Sequence, residues 1–201
     1  MDTKEYLFGL DSREAITRKA HELIKHLDTE LKYDHNSGEW TRANFNALCS
    51  FTSIRPEFQY FYSEKESDGK RKRSEFLWDF IAYQQGKGIF LVAESEQETK
   101  DKNGKREDLR NDFEKLLYVH APLKLMICKT DTYDDAETLA DDLSKYAREA
   151  CQHFDPGSVL LLYCRTSKQK KEKNGAFLWQ SPGEPTAIAY EPLVLSTPPQ
   201  L

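Results

Sequence analysis

Three carboxylates stand where a chain rarely places them. Asp79 interrupts the apolar run Phe76-Leu77-Trp78-Asp79-Phe80-Ile81, while Glu94 ends Ile89-Phe90-Leu91-Val92-Ala93 and Glu96 follows two residues later. Aromatic and β-branched residues make each run a strand, and strand side chains alternate faces, so Glu94 and Glu96 project to one side. If the two strands pair as a hairpin, Asp79 converges on Glu94. Uncompensated anions that close together raise one another's pKa, or require a cation or a basic partner. Hard oxygen donors suit Mg²⁺ or Ca²⁺, and two or three carboxylates with water are what metal-assisted hydrolysis of a phosphodiester needs.

The elements around those strands have to hold them in place. A helix is expected over about residues 12–31, capped by Asp11 or Ser12, with Glu14 completing a capping box and Ile16, Leu23, Ile24 and Leu27 along one stripe. His21 and His26 fall on different faces of it and read as solvated or boundary side chains. Residues 33–56 are ambiguous, with a turn at Asp34-His35-Asn36-Ser37-Gly38 and a short helix over 41–51. A three-stranded meander follows over 57–62, 75–83 and 89–94, closed by the turn Gly86-Lys87-Gly88. Next come a helix over 106–119, a strand over 123–128, a helix from 134 or 135 to 154, and strands over 158–164 and 176–179. The Pro-rich tail offers an edge strand over 187–190. Helices between strands call for parallel crossovers, and a meander for antiparallel neighbours. The expectation is an α/β fold, a mixed β-sheet with helices on both faces, in a single domain over residues 1–201.

This order and spacing resemble the PD-(D/E)XK nuclease superfamily, the restriction-endonuclease-like fold, over roughly residues 12–130. In that family a helix precedes a three-stranded meander, a crossover helix and a further strand, with an Asp on the second strand and Glu-x-Lys on the third. Asp79 matches the Asp, and Glu94, fifteen residues later, matches the first acid of the pair. The resemblance implies a Mg²⁺-dependent phosphodiester hydrolase acting on DNA or RNA, with Asp79, Glu94 and Glu96 around the ion. The departure is the position that holds Lys in the family, which here holds Glu96. That lysine orients or deprotonates the attacking water and offsets phosphate charge, a role no acid takes. Lys115, in Asp112-Phe113-Glu114-Lys115 of the crossover helix, is a candidate substitute, with Lys124 and Lys129 on the next strand as alternatives. Glu96 is otherwise a candidate extra ligand in a two-ion site. Failing all of these, the fold serves binding alone. Glu22 and Glu30 of the first helix are further candidate acids, since some family members draw one from there.

Two basic runs, Lys70-Arg71-Lys72-Arg73 and the cluster Arg165, Lys168, Lys170, Lys171, Lys173, are placed to meet a phosphate backbone. Their plainer reading is that of charged hairpin tips, which also discourage edge-to-edge aggregation. Residues 95–108, charged in both signs, read as a flap over the end of the Glu94 strand. With 29 basic and 34 acidic side chains among 201 residues, a uniformly basic coat is excluded, and the 24 aromatics argue against disorder. Gly-rich phosphate cradles, H-E-x-x-H and G-x-S-x-G do not occur. Cys49, Cys128, Cys151 and Cys164 form no C-x-x-C knuckle and read as buried thiols of a reducing compartment. No apolar run reaches bilayer length and the first residues are no signal peptide, so a cytoplasmic protein is expected. The rival to a nuclease is a non-enzymatic interaction module, with a protein partner or a second copy of the chain, in which the acids are structural.

Overall fold

The structure, a computed structural model, describes residues 12–31, 37–53, 58–62, 78–96, 107–149, 157–166, 174–179 and 186–187. Helix α1 (Arg13–Glu30) starts at Ser12, whose Oγ accepts the Ala15 N–H at 3.2 Å and so satisfies one of the orphan donors of the first turn. Helix α2 (Ser37–Ser53) is longer than the expected short helix. Trp40 is buried together with Phe45 and Leu48, which carries the apolar stripe back to the residue before Thr41.

The sheet runs in chain order: β1 (Phe58–Tyr62), β2 (Phe80–Gln84), β3 (Gly88–Glu96), β4 (Leu123–Thr130), β5 (Val159–Thr166), β6 (Gly175–Trp179) and a two-residue β7 (Thr186–Ala187). The meander β1–β2–β3 is antiparallel, β3–β4–β5 is parallel, and β5–β6–β7 returns to antiparallel. The two parallel steps are bridged by α3 (Glu107–Tyr118) and α4 (Tyr133–Glu149), because a parallel neighbour needs a crossover of helix length. Gly86, at φ +78°, supplies the left-handed turn between β2 and β3.

Alternation along β3, β4 and β5 divides the core in two. Leu91, Ala93, Leu125, Ile127 and Leu161 pack under α1 and α2, while Val92, Met126, Leu160 and Leu162 pack under α3 and α4. The result is a mixed sheet with helices on both faces, as the sequence predicts. A β-bulge phases this alternation. The β2–β3 register slips between Ala82 and Tyr83, so Phe90 and Leu91 both enter the α1/α2 core, and from Val92 onward the even-numbered residues face α3. Among the described residues no helix is long and apolar enough to cross a membrane.

Two expected strands are corrected. The strand expected over 75–83 begins only at Phe80; Trp78 and Asp79 form a bend at its mouth, and 75–77 lie outside the described residues. An acid in mid-ladder would be desolvated on one face, whereas at the mouth it takes a backbone donor from β3. The edge strand expected over 187–190 is Thr186–Ala187, with 188–190 outside the described residues.

Candidate active site

The β2–β3 register decides which acids meet. Phe80 opposes Ala93, so one further step sets Asp79 opposite Glu94, at the carboxyl end of β3 and on the α3 face. The Ser95 N–H donates to Asp79 Oδ2 at 3.0 Å, which anchors the Asp79 side chain to the third strand. Glu94 is buried, with a side-chain exposure of 3%, and its Oε1 has no hydrogen-bond partner. Lys115 reaches in from α3, where its Nζ lies 3.7 Å from Glu94 Oε1 and donates to Asp112 Oδ1 at 2.6 Å. Asp112 and Lys115 are three apart on one helix, so they share the face that looks onto β3.

Three acids against one lysine leave the site short of positive charge. Burial, then the neighbouring charges of Asp79 and Asp112, push the Glu94 carboxyl up to about 9 against the pull of Lys115. Glu94 therefore keeps its proton at neutral pH, beside the Asp79 carboxyl. Asp79 is raised as well, by burial first and then by Asp112, with the Ser95 amide opposing. For Lys115 burial pulls the ammonium down, but the Asp112 hydrogen bond and the charges of Glu94, Asp112 and Asp79 outweigh it and hold the pKa above its ordinary value.

Glu96 lies on the same face as Glu94, two residues or roughly 6–7 Å along the strand. It is only half-buried. Lys124 is fully buried beneath α3, and its Nζ is 3.4 Å from the Leu117 carbonyl at the helix C-terminus, where a cation favours the helix dipole. Lys129 has the parity of Leu125 and Ile127 and so projects to the α1/α2 face, away from Glu94. Glu22 and Glu30 are exposed on α1, and Glu22 pairs with Lys19. His26 bonds the Ala47 carbonyl at 2.9 Å and His21 is exposed, the structural roles expected of them. Among the lysine candidates, Lys115 alone is brought to the acids.

The basic runs at Lys70, Arg71, Lys72 and Arg73, and at Lys168, Lys170, Lys171 and Lys173, lie outside the described residues, as do 97–106 of the expected flap. Arg165, grouped with the second run, is instead built into the fold. It is buried, donates from Nη2 to the Leu31 carbonyl at 3.1 Å and lies over the Trp40 ring at 4.6 Å. Cys128 and Cys164 are buried register partners with sulfurs 3.2 Å apart, Cys49 is half-buried, and Cys151 lies outside the described residues.

Three participants escape the sequence pattern, and a fourth, Asp112, does not. Asp112 was readable as the residue one helical turn before Lys115. Ser95, the middle residue of Glu94-Ser95-Glu96, and the α2 residues Trp40 and Asn44 that bond it carry no such signal.

No family model matches the chain, and no curated protein matches it in sequence.

The donor set suits a hard divalent ion. Asp79 offers carboxylate oxygens, Glu94 would offer them on giving up its proton to the ion, and the buried Glu94 Oε1 is without a hydrogen bond. Among the described residues no three of His, Cys, Asp and Glu are grouped as a metal cluster. An ion here would take two protein carboxylates and complete its shell with water and substrate oxygens, which is the habit of Mg²⁺.

Proposed function

We propose that the chain is a divergent metal-dependent nuclease of the PD-(D/E)XK kind, hydrolysing a nucleic-acid phosphodiester, in which Lys115 takes the part of the lysine missing from the third strand. The observation that carries this reading is the approach of Lys115 Nζ, from the crossover helix, to 3.7 Å from the buried Glu94 Oε1 beside Asp79. The element order α, α, β, β, β, α, β, one helix more than the family core, with an in-order sheet supports it further. Bound between Asp79 and Glu94, a divalent ion would supply Lewis-acid stabilisation of the departing oxygen and an acidified water. The chain's own residues do the rest. Ser95 orients Asp79, Asp112 keeps Lys115 charged and aimed, and Lys115 offsets phosphate charge or steers the water.

The rival interaction module draws on one observation: Asp79 already has a backbone donor in Ser95, and Lys115 already has Asp112. Mn²⁺ and Mg²⁺ titration by calorimetry, paired with cleavage assays on single- and double-stranded DNA and RNA, separates the two readings. The nuclease reading expects ion uptake and metal-dependent cleavage, both lost in an Asp79→Ala, Glu94→Ala variant. An intact fold that takes up no ion, even with nucleic acid present, leaves the acids as structural groups.

A further inference from the structure

The two faces of the sheet are tied together at Ser95. Its Oγ accepts hydrogen bonds from Trp40 Nε1 at 3.1 Å and Asn44 Nδ2 at 2.7 Å, both from α2 on the far face. Its backbone N–H donates to Asp79 Oδ2 at 3.0 Å. Trp40 and Asn44 are buried, and their spacing of four residues puts them on one side of the helix. A serine hydroxyl offers two lone pairs, and both are taken, so the Ser95 rotamer is held from two directions. That fixes the strand end just where the ladder stops: β2 pairing ends at Phe80 opposite Ala93, and beyond it the Asp79 carboxylate stands in as acceptor for the Ser95 amide.

We infer that Ser95 is a positioning residue of the Asp79–Glu94 site and that α2, through Trp40 and Asn44, is its anchor from the opposite face of the sheet. The hydroxyl bonds set the strand end, the strand end aims the amide, and the amide fixes the carboxylate that a cation would meet. Its functional half rests on the metal reading above; its geometric half does not. If instead Ser95 merely satisfies two buried donors, its loss destabilises the protein without touching Asp79.

The test compares wild type with Ser95→Cys, which keeps the size but is a weak acceptor, and with Ser95→Thr, which keeps the hydroxyl. Two quantities are measured on the full chain: amide hydrogen exchange at position 95 and Mn²⁺ affinity by calorimetry. Ser95→Cys is expected to weaken Mn²⁺ binding about tenfold, the lower end of what loss of an outer-shell partner costs. Its position-95 amide should exchange about tenfold faster as the strand end loosens. Ser95→Thr should stay within about threefold of wild type on both measures, because the acceptor is retained. A Ser95→Cys protein with a lowered melting temperature but wild-type exchange and affinity overturns the inference, as does a Ser95→Thr protein that behaves like Ser95→Cys. Should wild type take up no Mn²⁺, the metal reading falls while exchange at position 95 still decides the relay. Unchanged protection in Ser95→Cys then refutes it, and lost protection restored by Ser95→Thr upholds it.

Discussion

Glu94 and Ser95 are neighbours on one strand, yet they enter opposite surroundings. Toward α3, Glu94 meets Asp79, Asp112 and Lys115, an excess of anion in a buried place. Toward α1 and α2, Ser95 meets Trp40 and Asn44, and a little farther along that face Asp28 accepts from the Tyr163 hydroxyl at 2.5 Å and from Asn174 at 2.6 Å. On the second face the donors to Ser95 and Asp28 are neutral, the buried guanidinium of Arg165 shares the face with Asp28, and the hydrogen bonds specify geometry. On the first face the charges do not balance, so its protonation depends on pH and on any cation that arrives. An unbalanced buried group is costly to the fold, which makes the α3 face the one to examine for chemistry.

The largest expected effect tests that imbalance through stability. Glu94 is at about 9 in the folded chain against 4.5 for the ordinary carboxyl, so folding takes up a proton between those values. The stabilising contribution is full below about pH 4.5 and is lost as pH rises through about 9, and the raised Asp79 acts in the same direction. Urea unfolding should show wild type losing on the order of 5 kcal/mol between pH 5 and pH 9.5, with Glu94→Gln removing most of that slope. A wild-type stability that is flat or rises over this range would show the acids to be balanced after all.

Next in size is Lys115. Lys115→Met should lower metal-dependent cleavage by about 10²–10⁴-fold, the usual weight of a positioned proton-transfer or charge-stabilising group. Mn²⁺ affinity should be retained, since the variant removes a cation and leaves both carboxylates. Cleavage that survives the change would break the proposed role and return attention to the residues around Glu96.

The α1/α2 face should answer differently. Tyr163→Phe removes a donor to Asp28 and an acceptor for Asn174, and is expected to cost about 1–2 kcal/mol in urea unfolding. That cost should not vary with pH from 6 to 9, and Mn²⁺ binding should be unaffected. The smallest effect belongs to the surface. Asp142→Asn breaks an exposed pair with Lys145 at 3.0 Å and should change stability by no more than about 0.5 kcal/mol.

The elements were largely legible in the sequence because their patterns are local. The stripe Ile16, Leu23, Ile24, Leu27 allows only a helix, and Leu160-Leu161-Leu162 between turn signals reads as a strand covered on both faces. The same-face placement of Glu94 and Glu96 followed from strand parity alone. Trp40 shows where local reading ended: an indole two residues after Gly38 carries no helical signal until Ser95 is there to accept its N–H. Asp79 shows it too, since a run of aromatics gives no sign of where the ladder begins.

By itself, then, the sequence determined an α/β chain with three misplaced acids and a lysine-less third strand, because side-chain alternation and helical period are properties of consecutive residues. Which acids meet, and which lysine joins them, only the tertiary structure decided. Asp79 faces Glu94 through the antiparallel register, Lys115 arrives by the packing of a crossover helix, and Lys124 is drawn off to the end of that helix. Register, helix docking and burial join residues far apart in the chain, and they fix distances and pKa values that no local pattern carries.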